Sequence, residues 1–101
     1  MKASLFVDGQ PVEMNPFVET FLSNVSHAIL VSLKGTENAQ RAVFGIQGKT
    51  LDLTVNERPV DLHMDKGFAG VVARDTLLGA LAHFRGLREW KEIRVELALQ
   101  T

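Results

Sequence analysis

Val7, Pro11 and Val12 recur later in the chain as Val55, Pro59 and Val60. After each recurrence comes a phenylalanine that opens a long apolar stretch (Phe17, Phe68), then a basic residue and a glycine that close it (Lys34-Gly35, Arg85-Gly86), then a segment that alternates like a strand. A chain that spells one short pattern twice is expected to fold as two copies of one small module, residues 1–48 and 49–101, inside a single domain. The recurrence constrains the fold and carries no chemistry of its own.

At 101 residues, 46% apolar and 23% charged, the chain suits one globular domain burying roughly two thirds of its unfolded surface. A formal charge of -1 supplies no global field to draw it onto nucleic acid or an anionic membrane. Cysteine is absent, which excludes disulfides, thiolate catalysis and cysteine metal sites. The run Leu5-Phe6-Val7 is too short for a signal-peptide core, so the cytoplasm is the expected compartment. Glu19, Asn24 and His27 interrupt the apolar stretch from Phe17 to Leu33, and a spanning helix needs ~20 mostly apolar residues, so a buried helix and no membrane contact are expected.

In the first unit, Ala3, Leu5 and Val7 alternate with Ser4, Phe6 and Asp8 as a strand with one buried face. Asp8-Gly9-Gln10-Pro11 turns the chain, and Val12 and Met14 continue a short second strand. Asn15-Pro16 supplies a helix cap and a first helical residue of suitable φ. Phe17, Phe21, Val25, Ile29 and Leu33 are expected to form the buried stripe, widened by Val18, Leu22 and Ala28, with Gly35 as the stop. Ala42, Phe44 and Ile46 then mark a third strand. The second unit repeats the order: Leu51, Leu53 and Val55 as a strand, a turn at 56–59, a short strand through Val60, Leu62 and Met64, a helix from about Asp65 to Arg85, and a last strand with Ile93, Val95, Leu97 and Leu99 on one face. Six strands, most with one wet face, and two helices predict an α+β two-layer sandwich: two ββαβ repeats giving a six-stranded sheet with both helices packed on one face.

Val7-Asp8-Gly9-Gln10-Pro11-Val12, Asn15-Pro16-Phe17-Val18 and Ser32-Leu33-Lys34-Gly35 together resemble a family of small bacterial and archaeal ββαβ proteins of unknown function, of which this chain would be a tandem version. The resemblance is good across the first unit and partial across the second, where the hairpin Val55-Asn56-Glu57-Arg58-Pro59-Val60 lacks the glycine. It implies a ββαβ module and no functional residues.

Placed on helical wheels, Ser32 and His83 fall at equivalent angles inside the expected buried arcs, which makes them the candidate ligand pocket between the units. A core histidine satisfied by hydrogen bonds is the commoner outcome for such a pattern. His63 with Asp61 and Asp65 offers half a metal site, and polar residues on a wet strand face usually mean no more than that. Arg85, Arg88, Lys91 and Arg94 surround Trp90, but Glu89 and Glu92 dilute the charge, so nucleic acid is not the expected partner. Trp90 is expected to anchor its loop on the core. No nucleophile-base arrangement is visible, and neither a catalytic activity, a cofactor nor a metal is expected.

The outer faces of the helices remain apolar. Leu30 and Val31 in the first, and Val71, Leu78 and Leu81 in the second, would join into a patch of the size that marks an interface. The expected function is a non-catalytic interaction or accessory module working as a homo-oligomer, most simply a dimer, with a protein partner as a further possibility. The alternative is a small-ligand or metal-binding protein using Ser32 with His83, or His63 with Asp61.

Overall fold

Period-two alternation becomes strands and period-3.6 stretches become helices throughout the described part of the chain. The computed structural model describes residues 1–33, 38–48, 50–60, 68–82 and 89–99. In chain order they form β1 (Lys2–Val7), β2 (Gln10–Val12), α1 (Pro16–Val31), β3 (Arg41–Gln47), β4 (Thr50–Val55), β5 (Arg58–Val60), α2 (Phe68–Leu81) and β6 (Glu92–Ala98). The strands make one antiparallel sheet in the order β2-β1-β6-β3-β4-β5. One face of it carries Ala3, Leu5, Ala42, Phe44, Ile46, Leu53, Val55, Ile93, Val95 and Leu97, all buried in a single core with Leu22, Leu30, Leu77 and Leu81 of the helices. The fold is α+β, with α1 packed chiefly over β1 and α2 over β4. The segment of Leu62 and Met64, the expected helix start at Asp65 and the Gly35 and Gly86 stops lie outside the described residues.

The centre of the sheet is the β3·β6 ladder, where Phe44 and Val95 are register partners and both fully buried. Two hairpin turns hold the ends of these strands. Asp8 (φ +50°) and Gly9 (φ +82°) occupy the left-handed region that a tight two-residue hairpin requires. From that turn the Asp8 carboxylate accepts the N–H groups of Lys91 (2.9 Å) and Glu92 (2.8 Å), and the Asp8 N–H donates to the Glu92 carbonyl (2.9 Å). Asn56 does the same at the other end: its Oδ1 accepts from Gln40 N (2.8 Å) and Arg41 N (3.2 Å), and its own N–H donates to the Arg41 carbonyl (2.8 Å). Those bonds hold the Asp8 carboxyl below the usual carboxylate range, the bond from Glu92 contributing most. The second turn pairs Asn56 (φ +51°) with Glu57 (φ +68°), so a side chain sits where the first turn has Gly9. A non-glycine residue in this region costs roughly 1–2 kcal/mol.

α1 opens as its sequence predicts, with Asn15 Oδ1 accepting from Val18 N (2.8 Å) and Pro16 in the first turn. It closes at Val31 on a Ser32 cap, short of the expected Gly35. Its phase differs from the expectation. The residues against the sheet are Leu22, Ser23, Ser26 and Leu30, whereas Phe17 is 76% exposed and Phe21 47%. In α2, Ala73, Leu77 and Leu81 are buried while Val72 and Thr76 are exposed. α1 is therefore rotated by one residue, about 100°, from the wheel that its largest apolar side chains suggest, and α2 by the same step from the arc that would bury Val72, Thr76 and His83. A hydrogen bond explains the phase of α1. β2 pairs β1 only from Leu5 onward, so the N–H of Ala3 lacks a strand on that side, and it donates instead to Ser23 Oγ at 3.0 Å. The Ser23 hydroxyl in turn donates to the Glu19 carbonyl at 2.7 Å.

The two buried serines make opposite predictions although they lie three positions apart. Ser23→Ala orphans a buried N–H and is expected to cost ~1–3 kcal/mol in denaturant unfolding. Ser26 Oγ is buried with no hydrogen-bond partner, so Ser26→Ala is expected to leave stability unchanged or to raise it. Glu57→Gly should stabilise by about 1 kcal/mol through relief of the positive φ, read as a higher denaturant midpoint. Because Asp8 has a depressed folded pKa, its ionised form adds stability above the unfolded value of ~3.9 and loses it as pH falls through the folded value. Asp8→Ala is accordingly expected to lower the melting temperature at pH 7. Asp8→Asn, which restores the acceptor Asn56 uses, should melt near wild type at pH 7 and show a shallower acid limb.

Candidate functional site

The one-residue rotation puts the stripe that was expected to face the sheet at the seam between the helices. Val25, Ala28, Ile29, Ser32 and Leu33 from α1 and its C-terminal cap face Val72, Ala73 and Thr76 of α2 across a groove of about 420 Å³. The two hydroxyls on its rim serve their own helices, Ser32 Oγ donating to the Ala28 carbonyl (2.8 Å) and Thr76 Oγ1 to the Val72 carbonyl (2.7 Å). The other described residues that line it are apolar. Leu33 is shared with a second hollow of about 290 Å³ that also holds His27, Leu30, Val31, Asn38, Ala39 and Leu99, so the depression continues around the end of α1.

Beside these hollows the helical layer exposes Val31 (64%), Val71 (56%) and Val72 (46%), and Phe17 and Phe21 stack on each other at 6.2 Å in the exposed first turns of α1. The expected interface patch is thus corrected in its membership. Val31 and Val71 are on the surface, Leu78 is half-buried against the core, and Leu30 (2% exposed) and Leu81 (1%) lie within the core. The physical reason is the helix phase: Leu22, Ser26 and Leu30, and Ala73, Leu77 and Leu81, each recur every four residues toward the sheet. Ser32 is also corrected. It is an exposed cap on the groove and not an interior polar group, because α1 has ended before it. Its expected partner His83 lies outside the described residues, as do His63, Asp61 and Asp65. Among the described residues no three His, Asp or Glu side chains gather as a metal site, and no helix is long and apolar enough to cross a membrane.

The other face of the sheet is polar. Arg41 Nη2 meets Glu96 Oε1 at 2.6 Å and Arg94 Nε meets Glu96 Oε2 at 3.0 Å, while the Arg94 guanidinium lies 4.4 Å from the centroid of Phe6. The hydrogen bond to Glu96 raises the Arg41 pKa above its ordinary value. Arg94, which the sequence reading grouped with a basic cluster around Trp90, is therefore spent on a carboxylate and an aromatic ring. Trp90 itself is half-buried against the core, as expected.

Sequence reasoning missed Ser23 and Ser26, and placed Phe17 and Phe21 in the buried stripe although both are exposed. One signal was available. Aligning Phe17 with Phe68 sets Ser26 opposite Leu77 and Leu30 opposite Leu81, so a serine that lines up with a leucine marks the inward phase. Searched against family models, curated proteins and solved structures, the chain matches none. The chemistry of the described site is that of an apolar binding surface: its hydroxyls are bonded within their own helices, and no base lies among the described residues that line the groove.

Proposed function

We propose that the chain is a non-catalytic interaction module, a duplicated ββαβ unit that self-associates or takes up another protein through its helical layer. The observation that carries this reading is the apolar groove between α1 and α2 together with Val31, Val71 and Val72 exposed alongside it. Exposed apolar surface of this extent on a small domain is commonly an interface. The open face of the sheet is a poorer candidate, because at its centre Arg41 and Arg94 are both engaged by Glu96.

The duplication is supported by several independent correspondences. Exchanging β1, β2, α1 and β3 for β4, β5, α2 and β6 turns the strand order into its own reverse. Leu22, Ser26 and Leu30 stand 51 positions before Ala73, Leu77 and Leu81, and both triplets are buried. In the hairpins the offset is 48, carrying Leu5 to Leu53, Val7 to Val55 and Asp8 to Asn56. The offset also relates the Asp8 and Asn56 clamps. The three-residue difference between the offsets falls between hairpin and helix, the segment that holds 61–67 in the second unit.

The groove is also of a volume that suits a small apolar ligand, since such sites typically span ~300–1,000 Å³. A thermal-shift screen of apolar compounds checks that second reading: a bound ligand raises the melting temperature by mass action. For the first, sedimentation velocity across a concentration series is the measurement. The wild type is expected to associate, and the double variant Val31→Glu, Val71→Glu to stay monomeric with an unchanged melting temperature, as both positions are exposed. A double variant that associates as the wild type does would overturn the surface assignment.

A further inference from the structure

Neither β3 nor β6 pairs with any strand of its own half of the chain. β3 (residues 41–47) pairs β4 and β6, both from 49–101, and β6 pairs β1 and β3, both from 1–48. The turn clamps cross the halves as well, Asp8 holding Lys91 and Glu92, and Asn56 holding Gln40 and Arg41. The two halves are interlocked and joined covalently at one place, the turn between Gln47 and Thr50. That turn is pinned by Gly48 at φ +56°, by Thr50 Oγ1 donating to the Gln47 carbonyl (2.9 Å), and by Arg74, whose Nη2 and Nε donate to the Gly48 carbonyl at 2.7 and 3.0 Å. On the opposite side of the sheet Lys2 pairs Ala98, so the ends of β1 and β6 lie side by side where a second such turn would join them.

We infer that the β3·β6 seam is a surface recognised by a second copy of this chain, on which two copies exchange complementary halves whenever the 47–50 turn cannot close. Each half offers the other a complete set of strand partners, clamps and core side chains, and none of these depends on the two halves belonging to one chain. With the turn intact, the tethered half is present at an effective concentration in the millimolar range, so closure within one chain prevails at micromolar protein. With the turn removed, the same contacts are available only between copies. The inference rests on strand order and register and holds whatever the helical layer binds.

The test uses the full chain, which has no cysteine of its own. Val43→Cys and Glu96→Cys place a thiol pair on register partners across the seam. With the native turn, oxidation is expected to link the pair within one chain. After deletion of Gly48 and Lys49, the folded protein is expected to double in mass and to run as a covalent dimer on a non-reducing gel. Association through the helical layer gives no such link, which separates the two readings. A shortened protein that folds with its link inside one chain overturns the inference. A circular permutant covers the case in which the shortened chain does not fold: residue 101 is joined to residue 1 through a short flexible linker and the chain opened between Gly48 and Lys49. It is expected to melt cooperatively within about 10 °C of the wild type. Loss of a cooperative transition in the permutant would show that the halves need their native connection, and would overturn the inference as well.

Discussion

The pairing of β3 with β6 is the constraint on which the rest of the molecule depends. These two strands bring the ends of distant chain segments into the middle of the sheet, and all four outer strands are attached through them. Their inward side chains, Ala42, Phe44, Ile46, Ile93, Val95 and Leu97, are almost wholly removed from water, and the helices close over them. Ordering such a ladder has a kinetic cost. Register partners such as Phe44 and Val95 are 51 residues apart, and loop closure over that span precedes any return in contacts, so topology of this kind folds slowly relative to helical bundles. The Asp8 and Asn56 clamps sit where that closure is decided, each fixing the first residues of a central strand from the turn of a hairpin that forms locally.

The helical layer has a different logic. α1 is apolar on more than one side, and a helix of that composition has no unique inward face by hydrophobicity alone. The inward side is chosen by the hydrogen bond from Ala3 N–H to Ser23, a polar demand of the sheet that only this phase meets. Once the sheet has taken Leu22, Ser26 and Leu30, the alternative stripe of Phe17, Phe21, Val25, Ile29 and Leu33 is left over, half of it in the groove and half in water. The apolar surface behind the proposed interaction is in this sense the remainder of an over-supplied helix.

Strand and helix types were legible in the residues because alternation and capping are local properties. The Asn15-Pro16 start, the Asp8-Gly9 turn and the wet and dry faces of β6 were each readable from a few neighbouring letters. Strand order was not, since nothing local says that the last strand of one half lies beside the first strand of the other. Leu30 and Leu81 were misplaced for a related reason: each helix is apolar on more than one side, and the sheet selected the line of Leu22, Ser26 and Leu30 in α1 and of Ala73, Leu77 and Leu81 in α2. Ser32 was misplaced because the rotation carries its line, with Val25, Ala28 and Ile29, to the groove, and because the helix closes at Val31, before the expected stop at Gly35. Val31 and Val71 were legible as surface positions because each helix carries apolar residues on more sides than one sheet can cover; the apolar character of the seam was not, since the wheels put Ser32 and His83 there.

The two outermost strands are three residues long, and each has proline at its middle position, Pro11 in β2 and Pro59 in β5. Proline has no N–H to offer a further strand. Inward of them, the stretch of β1 that β2 leaves uncovered has its Ala3 N–H taken by Ser23. At both borders the outermost strand thus lacks one of the donors that an added strand would need, which works against edge-by-edge stacking into fibrils. A proline at the middle of each border strand leaves the helical layer as the more open approach for whatever this molecule meets in solution.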